Sequence, residues 1–144
     1  MSSSVVLFLP RSVTEQELSS WICKSEVAFL DQDFGIRLAS GGGLYIRAVE
    51  DITEFSLSYE GDSQKILEHC LRGRSAWYLT YRGTAGSIRQ AVAHVAYRWP
   101  LYVDTDHYEI LTGAAFVRRL LEEPDWDLAD TSSDNLSLIE RFNF

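Results

Sequence analysis

Trp99 to Gly113 of this 144-residue chain reads WPLYVDTDHYEILTG and sets Asp104, Asp106, His107 and Glu109 within a few positions of one another. Carboxylates and an imidazole that close together could ligate a cation, exchange a proton as an acid and base pair, or form a solvated turn. A calcium loop beginning at Asp104 requires glycine at its sixth position and a bidentate acid at its twelfth, where this chain has Glu109 and Ala115. The calcium reading fails at both. Asp side chains accept hydrogen bonds from backbone amides two residues on and tolerate unusual turn angles. DTDHYE therefore reads most simply as a solvated reversal between LYV (101 to 103) and the following helix.

A strand running into Asp-x-Asp also resembles the magnesium or nucleotide-sugar motif of haloacid dehalogenase phosphatases and of glycosyltransferases. Those folds need a long parallel α/β sheet around that strand, and only 40 residues follow Asp104. YRGT (81 to 84) is similar to the arginine motif that holds nicotinamide dinucleotide in ADP-ribosyltransferases. Such enzymes add a Ser-Thr-Ser strand and a Glu-x-Glu turn whose glutamate stabilises a cation-like transition state. Downstream of Arg82 stand only Thr131, Ser132 and Ser133 in a predicted loop, and Glu122 beside Glu123, so the order is wrong. His69, His94 and His107 contain no i, i+4 pair, neither cysteine sits in a CxxC, and His94 is expected on the wet side of its helix. No GxSxG elbow occurs, while a Ser-His-Asp or Cys-His site assembled in space stays open. The expectation is a protein that is not an enzyme and needs no cofactor or metal.

The elements that would position these residues can be read along the chain. VVLFL (5 to 9), cut off by Pro10, reads as a short buried strand. Thr14 reads as a helix N-cap with Glu17 completing a capping box, Val13 and Leu18 forming a hydrophobic staple, and Leu18, Trp21 and Ile22 lying on one stripe. Alternation predicts strands over 34 to 39, 44 to 49 and 55 to 60, with SGGG (40 to 43) as the tight turn between the first two. A helix from Ser63 to Arg72 stopped by Gly73, a strand over 76 to 82, a helix from Thr84 or Ser87 to Trp99 and a strand over 101 to 103 follow. Thr112 caps a last helix that ends before Pro124. The tail closes with Leu136, Leu138, Ile139, Phe142 and Phe144, a set that favours docking back on the body. The pattern predicts one α+β domain over 1–144, a mostly antiparallel β-sheet with about four helices packed on one side.

Charge narrows the partners. Apolar residues make up 46% of the chain and charged ones 24%, the balance of an ordinary globular protein. The net charge is −8, and it is uneven: residues 71 to 100 hold five Arg and no acid, while residues 101 to 135 hold nine acids against Arg118 and Arg119. An acidic field repels phosphate, so no nucleic-acid partner is expected. Arg72, Arg74, Arg82, Arg89 and Arg98 do interleave with Trp77, Tyr78, Tyr81, Tyr97 and Trp99, which could stack single-stranded bases. Alternation nevertheless parts Trp77 and Tyr81 from Tyr78 and Arg82, and these arginines are expected to pair with the flanking acids at roughly 0 to 1 kcal/mol each. Cys23 and Cys70 read as buried free thiols. MSSSVVLFLPRS has no basic residue before an apolar run of five, which is neither a secretion signal nor a membrane span, so a cytoplasmic protein is expected.

From about Ala76 to Asp127, the runs YLTYRGTAGSIRQAV, WPLYVDTDHYEILTG and FVRRLLEEPDWD resemble the strand-helix-strand-turn-helix half of immunity proteins from bacterial polymorphic toxin systems. The resemblance spans about a third of the chain, lies in layout rather than in one motif, and carries over no residue as a known contact. It implies an inhibitor that occupies a cognate toxin domain, commonly a basic one. An acidic protein would be steered onto such a partner. The candidate partner-binding residues are Asp104, Asp106 and Glu109 at the turn and Glu122, Glu123, Asp125 and Asp127 after the last helix, with Trp126 as an aromatic anchor. A solvated loop with Trp126 folded into the core is the competing reading of the same residues. Alternatives in function are a non-catalytic adaptor using the same surface, or a small enzyme whose pocket gathers Arg82, His94 and a carboxylate.

Overall fold

Strand β1 (Ser3–Pro10) is apolar at successive positions because it is covered on both faces. The computed structural model describes residues 3–26, 28–31, 35–39, 41–57, 59–82, 85–105 and 110–124. Around β1 lies a seven-stranded sheet in which each pair is antiparallel. Its other strands are β2 (Ala28–Asp31), β3 (Gly35–Leu38), β4 (Gly43–Ala48), β5 (Arg74–Tyr81), β6 (Tyr102–Asp104) and β7 (Ile110–Thr112), in the order β2-β3-β4-β5-β1-β6-β7. The α+β class and the antiparallel sheet are as the sequence predicts.

One face buries Val5, Leu7 and Leu9 against helices α1 (Glu15–Cys23), α4 (Ala85–Arg98) and α5 (Gly113–Glu122), through Leu18, Ile22, Val92 and Phe116. The other face buries Val6 and Phe8 against α2 (Ile52–Ser56), Tyr59 and α3 (Asp62–Leu71), through Phe55, Ile66 and Leu67. The expectation of helices on one side is therefore corrected. A strand in which odd and even residues are both apolar needs a cover above and below.

Local signals set most element ends. The Thr14 side chain accepts from the Glu17 amide at 3.1 Å, and the Glu17 carboxylate accepts from the Thr14 amide at 3.4 Å, which completes the capping box. Gly73 follows α3 with φ +67°, and the Thr112 hydroxyl accepts from the Ala115 amide at 3.0 Å.

The expected strand over 55 to 60 is instead helical at its start. Asp51 caps α2 by accepting from the Glu54 amide at 3.0 Å. FSLSY satisfies a period of two and an i, i+4 pair equally well. Phe55 is buried within α2 and Leu57, its C-cap, is 72% exposed, so the expected alternation is broken, and Tyr59 is buried beyond the helix end. Five helices rather than four result among the described residues, and β2 and β7, of four and three residues, are too short to register in a periodicity.

The glycines between β3 and β4 turn the chain with Gly41 at φ +99° and Gly42 at φ +85°. A Cβ on Gly42 would lie 2.0 Å from the Arg82 carbonyl oxygen, whereas one on Gly41 would meet nothing within 4 Å. Gly42→Ala is expected to lower the unfolding free energy by roughly 3 kcal/mol and Gly41→Ala by about 1 kcal/mol, read as shifts in urea midpoint.

Candidate functional site

Asp104 is the last residue of β6, paired with Val6 on one side and Ile110 on the other. The period of two that brings Tyr102 and Val6 to the α2 and α3 face brings Asp104 there as well. Its side chain is 7% exposed and accepts a hydrogen bond from the Tyr59 hydroxyl, and the neighbouring Thr105 is also buried. Burial first, and then the Asp104 carboxylate, push the Tyr59 phenol far above its ordinary range. Asp104 is thus no outward docking residue. It fastens the segment after α2 to the sheet, and its inclusion in the solvated turn is corrected.

Asp106 and Glu109 lie outside the described residues, as do Asp125, Trp126 and Asp127. Glu122 and Glu123 are exposed together at the end of α5, with Glu123 Oε2 3.3 Å from Arg119 Nε. Of the eight candidate partner-binding residues, the structure groups these two and sets Asp104 apart under the helices of the opposite face.

No group of three or more His, Cys, Asp or Glu side chains among the described residues could hold a metal ion. His94 is corrected from the wet side of its helix. It stacks on Trp21 with ring centroids 4.4 Å apart; its Nε2 donates to the Trp21 carbonyl at 2.9 Å, and Trp21 Nε1 donates to the His94 carbonyl at 2.7 Å. These bonds clasp α1 to α4. The cleft beside His94 includes Lys24, Glu26 and Gln90 but not Arg82. Two of the arginines lie over aromatic faces: Arg74 over Tyr102 at 4.6 Å and Arg98 over Trp99 at 4.5 Å. Trp77 and Tyr81 are buried, so the expected aromatic zone offers no stacking platform through them.

His69 bonds through Nε2 to the Tyr102 hydroxyl at 3.1 Å, and burial, then Arg74 and Arg72, lower its pKa. Cys70 is a buried free thiol. Burial pushes its pKa up to about 12, with Arg74 opposing and Asp104 adding to the rise. A thiol held neutral in this way is a poor nucleophile. The unfolded thiol ionises near 9 while the folded one keeps its proton to about 12, so stability is lost as pH rises through that window. The loss is about 4 kcal/mol when complete. Urea unfolding of Cys70→Ala across the same pH range is expected to show a shallower decline than the parent protein.

An exposed acidic run belongs to α2, α3 and their flanks. Glu50, Asp51, Glu54, Glu60, Asp62 and Glu68 are exposed there, with Lys65 the one basic residue within the run from Glu50 to Glu68 and Arg47 and Arg72 exposed beside it. Leu57, between Glu54 and Glu60 in sequence, is exposed, as is Ile52. A cleft of about 480 Å³ separates Glu50, Asp51 and Glu54 from Arg47 and Tyr78, whose side chains meet at 5.4 Å from guanidinium carbon to ring centroid. Sequence reasoning misses this surface when the acidic excess is averaged over residues 1 to 70. The signal lies in the run from Glu50 to Glu68, with its six acids.

No helix among the described residues is long and apolar enough to cross a membrane. Compared with known proteins, the chain matches no family model, and no curated protein or solved structure matches it significantly.

Proposed function

We propose that this chain is an immunity protein, acting in the cytoplasm without catalysis, that binds and neutralises a basic bacterial toxin domain through an acidic surface. The observation that carries the reading is the exposure of all six carboxylates between Glu50 and Glu68, with Leu57 exposed in the same stretch. An exposed apolar residue in a stretch rich in one sign of charge suits a docking face, in which the charges guide the encounter and the apolar side chain holds the complex. The surface proposed is that of α2 and α3. Glu122 and Glu123 form a separate exposed pair, and the carboxylate of Asp104 serves the fold.

Co-expression with a toxin domain encoded beside this chain tests the reading. Growth rescue by the parent protein, lost when Glu50, Glu54 and Glu60 become lysine and Leu57 becomes alanine, is the expected result. Rescue by the variant would remove this surface from the account, and failure of the parent to rescue would remove the function.

A further inference from the structure

Helix α5 carries Val117, Arg118 and Leu121 along one side of a groove of about 680 Å³. Trp99 and Leu101 line it, and Tyr97 completes its apolar wall. Leu121 is 74% exposed and Tyr97 72%, so the groove opens as an uncovered apolar surface. Among the described residues Arg74 and Arg118 line it and no carboxylate does, an inversion of local charge on a chain of net −8.

The chain supplies the complement immediately beyond α5. Residues 125–144 hold five carboxylates against Arg141, and Leu136, Leu138, Ile139, Phe142 and Phe144 crowd their last nine positions. The ten residues from Asp125 to Asp134 can span up to roughly 33 Å, more than the distance across much of a domain of this size. A tethered segment meets its groove at an effective concentration on the order of millimolar, so a modest intrinsic affinity suffices to fill it.

We propose that this groove seats the chain's own residues 125–144 through the apolar positions between Leu136 and Phe144, with Arg74 and Arg118 facing the segment's carboxylates. The groove is then an intramolecular interface, separate from the acidic surface of α2 and α3, and the proposal stands whether or not that surface binds a toxin.

The test uses the full chain with p-benzoylphenylalanine in place of Phe142, irradiated at low and at high protein concentration and mapped by mass spectrometry. The expected result is an adduct within one chain, on peptides holding Tyr97 or Val117 to Leu121, with a yield independent of concentration. Leu121→Glu, at an exposed position, is expected to cut that yield severalfold, while Leu57→Glu leaves it unchanged. An adduct between two chains, an adduct at the exposed Phe29 or Tyr45, no adduct at either concentration, or an unchanged yield in Leu121→Glu would each overturn it.

Discussion

Asp104→Ala lowers the unfolding free energy by about 1 to 3 kcal/mol, because the Tyr59 hydroxyl is left in a buried setting without its acceptor. Tyr59→Phe costs about 1.5 to 3 kcal/mol by taking a donor from a buried carboxylate. The two changes together cost less than their sum, since neither group then remains to be desolvated in vain. Urea unfolding of the two single variants and the double variant measures this coupling. Additive losses would mean that the bond contributes nothing to the fold. Under the proposed function a residue with this role also predicts a functional result: toxin binding by Asp104→Ala, measured on the folded fraction, would keep the parent affinity.

Charge reversal on the exposed surface is expected to act on a different quantity. Glu50→Lys, Glu54→Lys and Glu60→Lys together move the net charge from −8 to −2 while touching only exposed side chains. Asp51 is left in place because it caps α2. Under the proposed function, association with a basic toxin would slow by about 10- to 100-fold at low salt, and the difference would shrink as salt screens the field. Leu57→Ala acts on dissociation instead, raising its rate by about tenfold for a loss of about 1.4 kcal/mol. Stopped-flow association at two ionic strengths separates these effects. If reversal at Glu122 and Glu123 slowed association and reversal at α2 did not, the docking face would move to the end of α5.

Features encoded within a few residues are legible in the sequence itself. Thr14 with Glu17, Gly73 after α3 and the glycines between β3 and β4 act through backbone geometry that neighbours alone determine. The burial of Asp104 is not legible there, because its donor lies 45 positions earlier in a stretch whose own conformation is ambiguous. Phe55, Leu57 and Tyr59 suit a strand as well as a helix by spacing, whereas in the fold Phe55 lies in α2, capped by Asp51 and packed on Phe8 and Tyr78. Reading that stretch as a strand also hides the acidic surface, since it places Glu54 and Glu60 at the ends of an alternating run. The both-sided cover of the sheet is present in VVLFL, where an unbroken apolar run marks a central strand.

The position of β1 between β5 and β6 has a consequence for how the molecule is made. Strand β1 finds its hydrogen-bonding neighbours only when Arg74 to Tyr81 and Tyr102 to Asp104 have been synthesised. Until then VVLFL is a greasy, unpaired ribbon, and closing such long loops makes acquisition of the native state slow. Nascent chains halted before Tyr102 should therefore be the ones that engage chaperones or aggregate, so supply of active protein depends on completing translation rather than on folding piece by piece.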